Sequence, residues 1–142
     1  MVIHAQEMVD TVLLAPQGIT DGATVTVNYD TRGAKYATIR LNFASEETTH
    51  ATDSTVSVLE SDDTVVTNFA TIVADQATDL VAAKELRYEI DLKGRKRYLR
   101  LSVSAGTTTG GNITVGSIGS LSRNDIAPVS TTAMGDDTVV IV

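Results

Sequence analysis

The chain contains no cysteine and no tryptophan, and aromatic residues make up only 4% of it. Without cysteine, a disulfide-stabilised secreted scaffold and a thiolate zinc site are both excluded. Sugar-binding β-modules usually stack aromatic side chains on their ligands, so the scarcity of aromatic residues argues against a carbohydrate site. No run approaches the roughly 18 consecutive apolar residues of a membrane-spanning helix. The sequence therefore predicts neither a membrane protein nor a small secreted scaffold.

Basic residues are also in short supply, since 11 lysines and arginines face 18 acidic residues and the formal net charge is −7. An acidic surface favours solubility and disfavours nucleic acid as a general partner. The first residues have neither a basic start nor an apolar segment, which predicts synthesis in a cytoplasm without a signal peptide. The length of 142 residues fits a single domain with a substantial core.

What the chain has in abundance is short segments that alternate apolar and polar residues. The clearest are Ala37–Phe43, Leu86–Leu92 and Leu99–Ser104. A period of two residues is typical of a half-buried strand. Threonine and valine are plentiful, and both are β-branched residues that suit a pleated surface.

Turn residues at short intervals divide the chain into about eight strands, which predicts an all-β domain over residues 1–123. Such spacing is typical of a β-sandwich or jelly roll, with a closed barrel as the alternative. Residues 64–73 also fit one face of a helix, and we favour a strand because they are rich in threonine and valine. The segment 75–84 is predicted as a connection or a short helix. Strands are predicted at 8–15, 24–29, 36–43, 55–60, 64–73, 86–92, 99–104 and 113–121.

The pattern changes after residue 123, and residues 124–142 are predicted to form a C-terminal tail. A polar stretch leads to Gly135 and then to the apolar run Thr138–Val142. Such a run after a tether could act as an extended arm that adds a strand to a neighbour's sheet edge. It could equally pair within its own subunit as an ordinary last strand. Both alternatives are open at the level of sequence.

Residues that could support catalysis or metal binding are few. His50 lies among acidic residues in the segment 46–53, which could hold a divalent cation, but the spacing matches no EF-hand or zinc pattern. The carboxylate pairs at 62–63 and 136–137 lie in predicted turns, where aspartate commonly accepts hydrogen bonds from its own backbone. We therefore predict no catalytic residue, no metal site, no cofactor and no enzymatic activity.

The one anomaly of charge is basic. Five of the eleven lysines and arginines cluster at a predicted hairpin. They could be a solvated turn that discourages edge-to-edge aggregation, or a docking patch for an acidic protein surface. Nucleic acid is the weaker interpretation, because no aromatic residues interleave the cluster to stack on bases. The cluster consists of Lys93, Arg95, Lys96, Arg97 and Arg100.

Several of these short motifs also occur together in one known group. The chain has Val56–Asp63 with its Glu-Ser-Asp-Asp turn, then a Lys-Gly-x-x-Arg-Tyr hairpin within Lys93–Val103, then Gly119–Arg123 and Ala127-Pro128. In this order the motifs resemble the capsid decoration, or cement, proteins of tailed bacteriophages. The resemblance covers roughly residues 36–128, and the tail beyond Pro128 lies outside it.

The resemblance implies a structural virion protein, made in the host cytoplasm, that binds the outside of the phage head and stabilises contacts between major capsid subunits. It implies the major capsid protein as partner and self-association, for which we favour a homo-trimer over a dimer because capsids carry local symmetry axes. The alternative is a receptor- or glycan-binding β-module of a head or tail fibre. We expect partner contacts at the basic hairpin and at the apolar run of the tail, that is, at Lys93, Arg95, Lys96, Arg97, Arg100, Val139, Val140, Ile141 and Val142.

Overall fold

The computed structural model describes residues 8–44, 54–78, 83–107, 112–123 and 138–142. These residues form nine strands and one short 3-10 turn at Val66–Asn68. The strands are β1 (Met8–Ile19), β2 (Thr24–Asp30), β3 (Tyr36–Phe43), β4 (Ser54–Ser61), β5 (Ala70–Thr78), β6 (Lys84–Asp91), β7 (Tyr98–Ser104), β8 (Ile113–Ser122) and β9 (Thr138–Ile141).

The strands form two sheets, ordered β1-β8-β3-β6-β9 and β2-β7-β4-β5. The first eight strands pair as β1 with β8, β2 with β7, β3 with β6 and β4 with β5, all antiparallel. This is the pairing of one long hairpin whose tip is the β4–β5 connection. Two further antiparallel pairs, β3 with β8 and β4 with β7, roll that hairpin into two sheets. The result is the jelly-roll order of strands, so the predicted all-β sandwich is confirmed.

The alternation in sequence matches the alternation in burial over residues 39–43 of β3 and 101–104 of β7. In β6, whereas a half-buried strand is predicted, all of Leu86–Ile90 is buried, so the half-burial predicted there is wrong. In β3 the odd-numbered side chains from Ala37 to Phe43 are buried, while Arg40 and Asn42 are exposed. In β7, on the opposite sheet, Leu99, Leu101 and Val103 are at most 1% exposed. Because successive side chains of a strand point to opposite faces, each sheet presents one apolar face, and the two apolar faces enclose the core.

The two sheets are in close contact where β8 has a glycine in place of a side chain. A Cβ atom on Gly119 would lie 2.6 Å from Tyr29 Cε1 and 2.9 Å from Leu13 Cδ1. The tyrosine ring therefore occupies the space that a side chain at position 119 would need. Burial raises the pKa of Tyr29 to about 12, as expected for a phenol whose charged form loses hydration.

Strand β1 is longer than the sequence predicts. The sequence places its end at Ala15, because proline cannot donate to a sheet ladder. In the structure the strand continues through Pro16 to Ile19, with shifts of register after Val12 and after Leu14. Since β1 is the edge of its sheet, the missing N–H of Pro16 can be tolerated there.

The segment between β4 and β6 also differs from the prediction. The predicted strand at 64–73 begins only at Ala70, after the 3-10 turn, and it continues to Thr78. The expected connection or short helix from residue 75 is therefore wrong for residues 75–78, which pair with β4. The register with β4 shifts twice, and such irregularities disturb the regular alternation on which the sequence-based prediction depends.

Candidate partner-binding groove

Two turns of the same construction lie side by side at one end of the sandwich. Each begins with an aspartate at the end of a strand, and Asp30 Oδ1 and Asp91 Oδ1 accept the backbone N–H two residues later at 3.1 and 2.9 Å. Each continues to a glycine with positive φ, 81° at Gly33 and 80° at Gly94. Aspartate at the start and glycine at the left-handed position are the residues that such a turn requires. We call these the twin turns.

Backbone hydrogen bonds join the twin turns to neighbouring chain. The N–H and hydroxyl of Thr31 donate to the carbonyl of Arg97, at 3.0 and 2.6 Å. The N–H of Leu92 donates to the carbonyl of Lys35 at 2.9 Å. Each turn is thus held by the segment that follows the other, and the space between them keeps a fixed shape.

That space is an open groove with a volume of about 480 Å³. Its lining is residues 31–34 of the first turn together with Leu92, Arg95, Lys96 and Arg97 of the second. Four of the eight lining residues are cations, although the chain as a whole is acidic. The basic cluster predicted from sequence therefore contributes three residues to this groove, and Arg32 contributes a fourth.

One of the four cations is tightly held. Arg97 donates to both carboxylate oxygens of Asp30, from Nε at 3.1 Å and from Nη2 at 2.8 Å. Its guanidinium also lies 4.5 Å from the centroid of the Tyr98 ring. Hydrogen bonding to Asp30 raises the pKa of Arg97 above its ordinary value. A two-point arginine–carboxylate pair fixes orientation as well as charge, so Arg97 forms a rigid wall of the groove.

The other three cations form looser ion pairs. Arg32 Nη2 lies 3.7 Å from Asp30 Oδ2, Arg95 Nη1 lies 3.9 Å from Glu60 Oε1, and Lys96 Nζ lies 3.8 Å from Asp62 Oδ2. These separations exceed the roughly 2.7–2.9 Å of a charge-assisted hydrogen bond. The carboxylates therefore balance the charge of the groove without forming hydrogen bonds to these three head groups.

The remaining two residues of the predicted cluster have contacts within the fold. Arg100, only 8% exposed, donates from Nε to Asn28 Oδ1 at 2.8 Å and lies 3.8 Å from the centroid of the Phe69 ring. Lys93 donates to the Tyr36 hydroxyl at 3.2 Å. Neither residue lines the groove. The sequence grouped five cations together, and the structure separates these two from the three that line the groove.

The apolar run of the tail forms β9, which pairs with β6 of the same chain. The pairing is parallel, with Leu86 opposite Thr138 and Glu89 opposite Ile141. Val142 continues the contact, because its N–H donates to the Glu89 carbonyl at 2.8 Å and its carbonyl accepts from Asp91 N–H at 3.1 Å. Its side chain is half-buried against the core. Of the two alternatives for the tail, the structure shows pairing within the subunit, and a contact of Val139–Val142 with a partner stays a prediction.

The acidic candidates fall in two groups. The residues of the segment 46–53, His50 among them, and the pair at 136–137 lie outside the described residues. Asp63 lies in an exposed loop, where its carboxylate accepts hydrogen bonds from Asn68 Nδ2 at 2.8 Å and Val65 N–H at 2.9 Å. These bonds lower its pKa below the ordinary value. Within the part of the chain that the structure describes, no three potential metal ligands cluster, and no helix is long and apolar enough to cross a membrane.

Sequence reasoning missed the groove cation Arg32 and also Asp30, the carboxylate that pairs with Arg32 and Arg97. A signal for them exists, since the pattern Asp-x-x-Gly occurs at both 30–33 and 91–94 with a cation before each glycine. The pattern identifies two similar turns. It does not show that the turns meet, because that depends on the pairing of β2 with β7 and of β3 with β6.

The jelly-roll order of the strands defines the class of fold, and comparisons with known proteins agree with it. No protein-family model and no curated protein sequence matches the chain. Among solved structures, it is similar to a chain from infectious bursal disease virus Gx strain, with TM-score 0.54, 11% identity, and coverage of 84% of this chain and 33% of that one. A chain from the Gt strain gives a TM-score of 0.51 at 11% identity, with coverage of 82% of this chain and 33% of that one.

A third structure, the VP2 subviral particle of the same virus, gives TM-score 0.49 and 10% identity over 85% of this chain and 34% of that one. This chain thus spans about a third of the length of its structural neighbours. At 11% identity, the likeness to the first two establishes a shared fold and no shared residues of function.

Proposed function

We propose that this chain is a structural protein of a virus particle, and more specifically a non-enzymatic decoration protein that binds the outside of a bacteriophage head. The observation that carries the proposal is the jelly-roll sandwich, a fold that the chain shares with chains from a virus. The motifs of residues 36–128, which resemble phage decoration proteins, support the finer assignment.

The architecture suits such a role. A decoration protein must survive on the particle and grip neighbouring subunits, and for this it needs a rigid core and accessible edges. The described strands provide both, since the core is enclosed by two sheets and β1 is an edge strand. An unpaired strand edge can bind another chain through main-chain hydrogen bonds.

In this proposal the major capsid protein is the partner, and the chain acts as a homo-trimer on the capsid surface. Cations of the groove make the electrostatic contact, because complementary charge accelerates association and fixes register. The apolar residues Val139–Val142 contribute a second contact at the sheet edge formed by β9. The chain carries no catalytic group in this scheme.

The experiment is co-sedimentation of the purified chain with heads of the same virus assembled without it, with stoichiometry measured per major capsid subunit. Saturable binding at a fixed symmetric ratio supports decoration, and the ratio gives the oligomer. Charge reversal of Arg95, Lys96 and Arg97 to glutamate should weaken binding at low salt. Each of the three reversals made singly is compared with Lys84→Glu, a cation outside the groove, because that variant changes the net charge by the same amount.

Two results would contradict the proposal. A chain that is monomeric and does not bind heads is not a decoration protein, and a receptor- or glycan-binding module then becomes the better hypothesis. A chain that assembles into closed particles by itself would be a shell-forming protein instead. Deletion of residues 136–142 tests the tail separately, because unchanged oligomerisation and capsid binding would show that the tail makes no contact with a partner.

A further inference from the structure

We infer that the groove between the twin turns binds the carboxylate of an acidic segment of a protein partner. The inference rests on the proposed function only for the identity of that partner, the capsid surface. The binding chemistry itself follows from the cations, distances and shape of the groove.

Three of the four groove cations have hydrogen-bonding capacity that their carboxylates do not use. Arg97 is committed to Asp30, but Arg32, Arg95 and Lys96 lie 3.7–3.9 Å from their carboxylates. A guanidinium carries five N–H donors in a fixed fork, and an ammonium carries three. A ligand carboxylate between the turns could therefore accept short hydrogen bonds that Asp30, Glu60 and Asp62 leave unmade.

The groove also has the size and lining of a ligand site. A volume of about 480 Å³ lies within the range of about 300–1,000 Å³ found for ligand sites. The half-buried Ala34 and the buried Leu92 supply an apolar lining beneath the charged rim. Both turns are held by the backbone bonds from Thr31 to Arg97 and from Leu92 to Lys35. A preformed site binds without the free-energy loss of ordering its own loops.

The charges around the groove indicate which kind of anion it binds. Three carboxylates, those of Asp30, Glu60 and Asp62, stand beside the four cations, and the whole chain carries −7. A nucleic acid, with a phosphate at every step, is matched by an extended row of cations, whereas here each of the four cations stands beside a carboxylate. Four cations and three carboxylates leave one net positive charge, which a single aspartate or glutamate side chain matches. Arginine pairs with such a carboxylate through its planar fork.

The test is an NMR titration of the ¹⁵N-labelled full chain with hexaglutamate blocked at both ends, and with hexaglutamine as the uncharged control. We expect amide shifts concentrated at residues 31–34 and 92–97, and none with hexaglutamine. Arg95→Gln should weaken binding about tenfold, as expected for one lost hydrogen bond to a charged group. Arg32→Gln, in the other turn, should weaken binding in the same way. Lys84→Gln is the control, because it removes one positive charge outside the groove.

Three outcomes would overturn the inference: no shifts at millimolar peptide, equal weakening by Lys84→Gln and Arg95→Gln, or tighter binding of a single-stranded oligonucleotide than of hexaglutamate at the same residues. The peptide assay uses no capsid. If the chain binds hexaglutamate but does not bind heads, the proposed function is therefore contradicted, and the groove is still supported as a carboxylate site. If the peptide titration shows no shifts, while heads are bound and Arg95→Gln and Arg32→Gln leave that binding intact, the inference about the groove fails and the proposed function stands.

Discussion

The interior of the sandwich and the groove at its end use side chains in opposite ways. Leu101 is 1% exposed and lies opposite Val27 on one neighbouring strand and Val58 on the other. The side chain of Arg32, by contrast, is 68% exposed and its nearest carboxylate oxygen lies 3.7 Å away. The interior depends on dense packing, which a change of one methyl group disturbs. The groove depends on charged head groups that a rigid backbone presents, so the loosely paired Arg32, Arg95 and Lys96 should be replaceable with little loss of stability.

The largest expected effect is therefore in the interior. Leu101→Ala should lower the free energy of unfolding by about 2–5 kcal/mol, because it removes a buried side chain and leaves a cavity between the sheets. Ser102→Ala, the next residue on the polar face of the same strand, should change it by no more than about 0.5 kcal/mol. Urea denaturation measures both. Equal effects would mean that packing between the sheets does not dominate stability.

The next effect comes from adding a methyl group where none fits. Gly119→Ala should destabilise the chain by about 1–3 kcal/mol, since overpacking forces neighbouring side chains to move. The new Cβ would lie 2.6 Å from the Tyr29 ring. Gly18→Ala is the matched control, because the nearest atom to its Cβ would be 4.0 Å away. Thermal unfolding that shows no difference between the two variants would contradict the close approach of the sheets.

Within the basic cluster, the structural arginine should differ from the groove arginine. Arg100→Met keeps the apolar stem but removes the hydrogen bond to Asn28 and the contact with the Phe69 ring. We expect a loss of about 1–2 kcal/mol in the free energy of unfolding. Arg95→Gln should change it by less than about 0.5 kcal/mol, because its ion pair with Glu60 is 3.9 Å long and forms no hydrogen bond between the two side chains. A larger effect for Arg95→Gln would mean that the groove residues also support the fold.

Much of the fold could be predicted because local pattern and burial agree. The alternation over Ala37–Phe43 depends on one half-buried strand, and the structure contains that strand at the predicted position. The prediction of strand ends failed where contacts between distant parts of the chain determine them. Pro16 is tolerated only because β1 is an edge strand, and β5 extends to Thr78 through two shifts of register that no local pattern indicates.

The groove was less accessible to prediction than the strands. A run of cations at Lys93–Arg97 is visible in the sequence, but the roles within it depend on partners far away along the chain. Arg97 is held by Asp30 and Arg95 lies near Glu60. These pairs form because β2 and β4 both flank β7. Position in the sheet, and not residue type, separates the cations that line the groove from Arg100.

The smallest expected effect is on the pKa of Asp63, in the loop between β4 and β5. This loop borders the groove, because Asp62 forms an ion pair with Lys96. The pKa of Asp63 lies below its ordinary value, chiefly because Asn68 donates to it and then because Val65 N–H does. Folding therefore favours the ionised carboxylate. Its contribution to stability is present at pH values above the ordinary pKa and is lost as the pH falls through the lowered one.

An NMR titration of the Asp63 carboxyl carbon measures this pKa directly, and two variants separate its causes. Asn68→Ala removes the largest cause and should move the pKa upward, towards the ordinary value for aspartate. Lys96→Gln removes a weaker, long-range cause and should move it less. A larger shift for Lys96→Gln than for Asn68→Ala would show that the charge of the groove, and not local hydrogen bonding, controls the pKa of Asp63. The groove and the loop would then have to be treated as one electrostatic unit.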